Sequence, residues 1–149
     1  MPFSKKQFAA LPLRLGKKDR IEVLLVTSRG TGRWLPPKGS QIRGKPYHRC
    51  AEIEAYEEAG VQGIVLKKPL GKYELGGGTQ GTRKSNTRVI LYPLLVHTEL
   101  KRWKECHERK RHWFQLKQAA NAVYEPELQT ILLSLRYDPK IPKLMCYSS

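Results

Sequence analysis

The sequence predicts an α+β domain, a mixed β-sheet sandwiched between helices. Three observations carry this reading. Short apolar runs with strand character recur along the chain, one stretch near the middle has helix punctuation at both ends, and a second helical pattern comes late. The length of 149 residues fits one domain with its own core, spanning 1–149, with a tail from about 137.

"FAALPLRL" reads as a short strand, with Pro12 suggesting an edge. "RIEVLLVTS" (20–28) is apolar along its length, as in a strand buried on both faces. "RGTGRWLPPKGS" (29–40) is rich in Gly and Pro and reads as a loop. A helix is predicted from about Pro46 to Ala59, because Pro suits a first turn and Gly60 suits the residue past the end. "GIVLKKPLGKYEL" holds one or two strands, broken at Pro69–Gly71. "GGGTQGTRKSN" (76–86) is a flexible connection. "TRVILYPLLVHTEL" is a strand in which Pro93 marks a bulge or an edge. "RHWFQL" (111–116) is another short strand. "KQAANAV" and "EPELQTILLSLRY" read as helices, with Leu128, Ile131, Leu132 and Leu135 at helical spacing. The closing "DPKIPKLMCYSS" reads as a tail.

Composition narrows the function. With 28 Lys and Arg against 13 Asp and Glu, the net charge is +15. Such a balance favours a polyanionic partner: nucleic acid, an acidic membrane surface, or a small molecule dense in phosphate. Charge alone does not choose among them. Cys50, Cys106 and Cys146 form no CxxC pair, so neither a zinc site nor a disulfide framework is indicated, and a reducing cytoplasm is expected. No signal-like apolar run opens the chain, and its apolar stretches are too short to span a bilayer, so a soluble protein without a membrane partner is expected.

Against this basic background the predicted helix gathers Glu52, Glu54, Glu57 and Glu58. Residues three and four apart share a helix face, so Glu54, Glu57 and Glu58 are expected to converge, while Glu52 points elsewhere. Most charge runs are solvated faces. Like charges on one face repel by about 0.2–0.5 kcal/mol per pair, which a hard divalent cation with oxygen ligands would offset.

The register of these acids decides between the two. From Gly39 the sequence runs five residues to Lys45, then seven residues to "IEAYEEAGV". This resembles the Nudix box: Gly, five residues, Glu, seven residues, Arg-Glu, aliphatic, any, Glu-Glu, any, Gly, aliphatic. Gly39, Glu54, Glu57, Glu58, Gly60 and Val61 match. Lys45 replaces the first Glu, Ile53 replaces the Arg that pairs with the box carboxylates, and Ala55 stands at the aliphatic position. Beyond the box, Ser28–Arg29, Arg33–Trp34 and Arg109–Lys110–Arg111 before Trp113–Phe114 resemble the diphosphoinositol polyphosphate phosphohydrolase branch and its bacterial relatives. The likeness covers about residues 8 to 135.

The resemblance implies a Nudix-like α/β/α sandwich and a pyrophosphohydrolase that uses Mg²⁺ or Mn²⁺. It implies metal ligation and catalysis by Glu54, Glu57 and Glu58, with the Gly39 carbonyl as a further ligand. The proton acceptor for the attacking water stays open, with Glu105 and Glu108 as candidates beside the helix acids. The substrate implied is a highly phosphorylated small molecule, diphosphoinositol polyphosphate or diadenosine polyphosphate. Arg29, Arg33, Lys38, Lys84, Arg88, Arg109, Lys110 and Arg111 are its expected contacts, since Arg forks suit phosphate. Competing readings are a nucleoside diphosphate derivative or RNA 5′ end as substrate, or a weakened module that binds nucleic acid. His48 and His107 read as surface residues, Trp34, Trp113 and Phe114 as packing, and Cys50 as a small buried thiol.

Overall fold

The computed structural model describes residues 5–75 and 87–148. Its elements are β1 (Lys5–Leu15), β2 (Ile21–Thr27), β3 (Trp34–Leu35), β4 (Lys38–Gly39), α1 (Tyr47–Glu54), β5 (Val61–Val65), β6 (Gly71–Glu74), β7 (Thr87–Glu99), β8 (Arg111–Gln115), α2 (Leu116–Ala122), α3 (Pro126–Ser134) and α4 (Lys140–Ser148). α1 runs on without a break into a π-helical turn, Ala55–Ala59. The connection 76–86, and with it Lys84, lies outside the described residues.

One mixed sheet is the middle layer. Its main path is β3-β2-β1-β7-β5, with β4 on β1, β6 on β7 and β8 on β2. β1 and β7 run parallel, from Lys5↔Thr87 to Leu13↔Leu95, and the other pairings are antiparallel. Alternation along the strands sends side chains to two separate cores. Phe8, Ala10, Leu24, Val26, Ile90, Tyr92 and Leu94 pack against Cys50, Ala51, Ala55 and Ala59 of the α1 stretch. Ala9, Leu11, Leu13, Val23, Leu25, Val89 and Leu91 pack against Leu116, Ala119, Leu128, Leu132, Ile141 and Met145 of α2, α3 and α4. β2 is thus buried on both faces, as its apolar run predicts. Each fully buried Leu in these layers contributes about 1.5–3 kcal/mol relative to exposure.

Pro12, read as an edge mark, and Pro93, read as a bulge or an edge, sit instead in the two central strands. Pro12 lies where β1 passes from pairing with β2 (Leu13↔Val23) to pairing with β4 (Ala9↔Lys38). Ala10, two residues away on the same side of the strand, gives its N–H to the Pro37 carbonyl at 3.0 Å. Pro93 lies where β7 changes from β6 (Gly71↔Leu91) to β5 (Val65↔Leu94), and its carbonyl accepts from Leu66 N–H at 2.9 Å. Each proline therefore occupies a change of partner, the place in a central strand where a missing donor interrupts least. The β-bulge is elsewhere, at Gln62/Gly63 against β7.

The expected tail is a helix. Ile141 and Met145 of α4 are 3% and 5% exposed and close the α2–α3 core. Pro142 falls in the first turn of α4, where no backbone donor is needed.

Candidate active site

The site is built where the 29–40 loop passes the α1 stretch. α1 is fixed at its start by Tyr47, stacked on Phe8 of β1 with centroids 4.3 Å apart, and by buried Cys50, whose sulfur accepts the Ile42 N–H at 3.3 Å. It ends at Gly60, whose positive φ of 66° suits a residue without a side chain and lets its N–H reach back to Ala55 and Tyr56 carbonyls. The last turn is π-helical, a local widening found often at functional sites.

Glu58, on this turn, is buried, and Glu54 is half-buried one turn before it. Glu58 Oε1 accepts the backbone N–H of Lys38 at 3.2 Å, tying the helix to β4. Glu54 lies against Gly39, where any Cβ would collide with its carboxyl group. The Glu54 and Glu58 carboxyls are close enough to influence each other's protonation. Burial pushes Glu58 up to about 8, with the Arg109 charge opposing and Glu54 adding to the effect. Burial raises Glu54 as well.

The expected three-way convergence is a convergence of two. Glu57 turns toward Lys104, with Oε1 3.6 Å from Nζ. Among the described residues no three His, Cys, Asp or Glu side chains form a ready-made metal cluster. The chemistry of the donors nonetheless fits a hard divalent cation. A buried and a half-buried carboxyl, both raised by burial and beside a glycine backbone left bare, are oxygen ligands short of positive charge. Glu57 and Glu105 lie near enough to add to the negative field at Glu54.

The expected basic contacts divide. Lys38 stays at the site through its N–H, but its Nζ donates to Gln7 Oε1 at 2.9 Å, and burial lowers its pKa. Arg33 lies over the Tyr124 ring, 3.9 Å from its centroid, beside Lys38 and Trp34 in one cavity. Arg29 is exposed and pairs with Glu108 at 3.2 Å. Arg88 is on β7, opposite Lys6 and Glu74, and Lys110 is exposed on its side-chain side. Arg109 and Arg111, expected to face substrate, are engaged inside the protein. Arg111 donates to the carbonyls of Ala59 (2.8 Å) and Leu100 and covers the Trp103 ring, so it caps the negative end of the helix. Arg109 reaches Glu58, Glu105 and Thr27.

Trp103 carried no signal in the sequence reading. Its indole N–H donates to the Glu58 carbonyl at 2.9 Å, and the Glu105 N–H donates to the Glu57 carbonyl at 3.2 Å. The 100–110 loop thereby satisfies the carbonyls of the acidic turn. Glu105, a candidate proton acceptor, sits beside the site; Glu108 is on the rim with Arg29.

Residues 5–134 match the NUDIX domain family. This chain belongs to the Nudix family. As a Nudix domain it is 34% identical over 104 residues to "Nudix hydrolase 18, mitochondrial" of Arabidopsis thaliana, covering 70% of this chain and 57% of that protein. It is 38% identical over 122 residues to "Diphosphoinositol polyphosphate phosphohydrolase 3-beta" of Homo sapiens, covering 80% and 69%. The crystal structure of the C. elegans Ap4A hydrolase shares the Nudix fold, with a TM-score of 0.61 at 22% identity over 92% of this chain and 98% of that one. The chain spans between 55% and 64% of the length of the Arabidopsis relatives named Nudix hydrolase 12, 13, 16, 17 and 18. Among the described residues no helix is long and apolar enough to cross a membrane.

Proposed function

We propose that this Nudix protein is a divalent-cation-dependent pyrophosphohydrolase that cleaves a diphosphate linkage in a highly phosphorylated small molecule. The observation that carries the proposal is the half-buried Glu54 carboxyl against Gly39 with buried Glu58 one turn on, in a domain of this family. Glu54, Glu58 and Glu57, with the Gly39 carbonyl, would hold Mg²⁺ or Mn²⁺. Such an ion supplies charge neutralisation at phosphate oxygens and a more acidic bound water. Water attacks phosphorus, the bridging P–O bond breaks, and the released phosphate takes up the charge. The proton of that water would go to Glu105 or to one of the helix carboxylates, and the Lys38 N–H would keep Glu58 oriented.

Two features support a substrate of high negative charge: the net charge of +15, and the relative named for diphosphoinositol polyphosphates. Diadenosine polyphosphate is the second candidate, and Arg33, Arg29 and Lys110 are the side chains best placed to meet either one from solvent. A cytoplasmic location belongs to the same proposal and rests on cysteine usage.

The test is phosphate release with Mg²⁺ or Mn²⁺ across diphosphoinositol polyphosphate, diadenosine polyphosphate, nucleoside diphosphate derivatives and 5′-triphosphorylated RNA. Turnover of one of the first two, abolished in Glu58→Gln and strongly reduced in Glu57→Gln, supports the proposal. No turnover, with RNA binding that weakens steeply with salt, would replace it with a nucleic-acid-binding module.

A further inference from the structure

The stretch 47–59 has two basic residues, His48 and Arg49. Arg49 is exposed and pairs with Glu52 at 2.7 Å, so it brings no charge to the Glu54–Glu58 face. Position 53 is Ile, which lines an apolar recess with Tyr56, Val61 and His97. A buried guanidinium reaches the acidic turn from another part of the chain.

That cation is Arg109, in the loop before β8. Its side chain is 9% exposed. Nε donates to Glu105 Oε1 at 2.7 Å, Nη1 donates to the Thr27 carbonyl at 3.0 Å, and Nη2 stands 3.7 Å from Glu58 Oε2. Three guanidinium nitrogens thus point at three different segments, an arrangement a lysine ammonium cannot reproduce. The backbone around it is equally fixed: Arg109 N–H donates to the Glu105 carbonyl at 3.1 Å and Thr27 N–H to the Lys110 carbonyl at 3.0 Å. A side chain so committed has no free fork for a substrate phosphate.

We propose that Arg109 is a positioning residue: it fixes Glu58 and Glu105 around Glu54, so that a divalent ion meets carboxyl oxygens already arranged. This rests on the function proposed above. It moves Arg109 from substrate contact to the support of the acids.

The experiment is a Mn²⁺ titration of the full chain, reading free Mn²⁺ by its paramagnetic resonance, in the parent, Glu58→Gln, Arg109→Lys and Arg109→Ala. Arg109→Lys keeps the charge, so weaker binding there reports geometry. The expected loss is tenfold or more, within the range of about 10–100-fold seen when groups orienting a metal ligand are removed. Millimolar guanidinium should restore part of the affinity of Arg109→Ala. Losing a positive charge would by itself tighten cation binding, so unchanged or tighter binding in either Arg109 variant overturns the proposal. So does unchanged Mn²⁺ affinity with weakened binding of inorganic tripolyphosphate, the signature of a substrate contact. Should Arg109→Ala fail to fold, Arg109→Lys decides alone. If the parent binds no Mn²⁺, or Glu58→Gln binds it equally well, the functional reading itself fails and takes this inference with it; if only the Arg109 variants behave like the parent, this inference fails alone.

Discussion

Gly39 and Glu54 touch so closely that the backbone of one is the floor for the carboxyl group of the other. What a Cβ would meet there is the far end of a flexible side chain, which can swing aside. Gly39→Ala should therefore displace the carboxylate more than it destabilises the fold. We expect thermal stability to change by less than about 1 kcal/mol, while Mn²⁺ affinity falls at least about tenfold. Calorimetry of unfolding and of Mn²⁺ binding checks both; equal Mn²⁺ affinity would show that the floor is not used.

Glu58 sets a pH dependence of stability in the metal-free protein. Its pKa rises on folding from the usual 4.5 to about 8, mainly through burial. The native state thus binds the extra proton between these values. Its contribution to stability is fully present below about 4.5 and is lost as pH rises through about 8. Glu58→Gln removes that dependence, so its melting temperature relative to the parent should rise from pH 5 to pH 9. A flat difference between the two proteins would contradict the buried, protonated acid.

Gly60 ends the acidic turn with φ at +66°, and an added Cβ would lie 2.7 Å from the Trp103 ring. Gly60→Ala should cost about 1–2 kcal/mol from backbone conformation, with a further penalty from the displaced indole. The tryptophan fluorescence should change with it. Unchanged stability and emission would mean that the loop does not rest on the helix end.

Tyr73 is fully enclosed, and its hydroxyl is the buried side-chain polar atom without a hydrogen-bond partner among the described residues. Burial raises its pKa well above the ordinary value. Tyr73→Phe removes a polar group that is not hydrogen-bonded, so stability should stay level or rise by up to about 1 kcal/mol in chemical denaturation. A clear loss would point to an acceptor that the hydroxyl finds in solution, with Glu125 close enough for its charge to act on the phenol.

The helix of acids was legible because two local signals agreed with its register: Pro46 and Gly60 mark its ends, and Glu54 and Glu58 fall four apart. The fold class was legible through the apolar strands and the spacing of Leu128, Leu132 and Leu135. Proline misled where its local meaning depends on distant partners. Pro12 and Pro93 lie in central strands because those strands change neighbours there, and no stretch of sequence announces that change. The roles of Arg109 and Trp103 were hidden for a similar reason. Both lie in or beside a loop, and what they bond to is set by how the 100–110 segment returns to the helix. Spacing puts Glu57 on the convergent face, whereas in the structure it leans to Lys104.

The family match covers residues 5–134, and the interior extends beyond it. Ile141 and Met145 fill space between α4 and the sheet that the matched segment leaves open. A version of the protein trimmed to the shared pattern would come away with part of its own stuffing missing and an oily surface where α4 had been. For this molecule the matched segment is smaller than the object that has to fold.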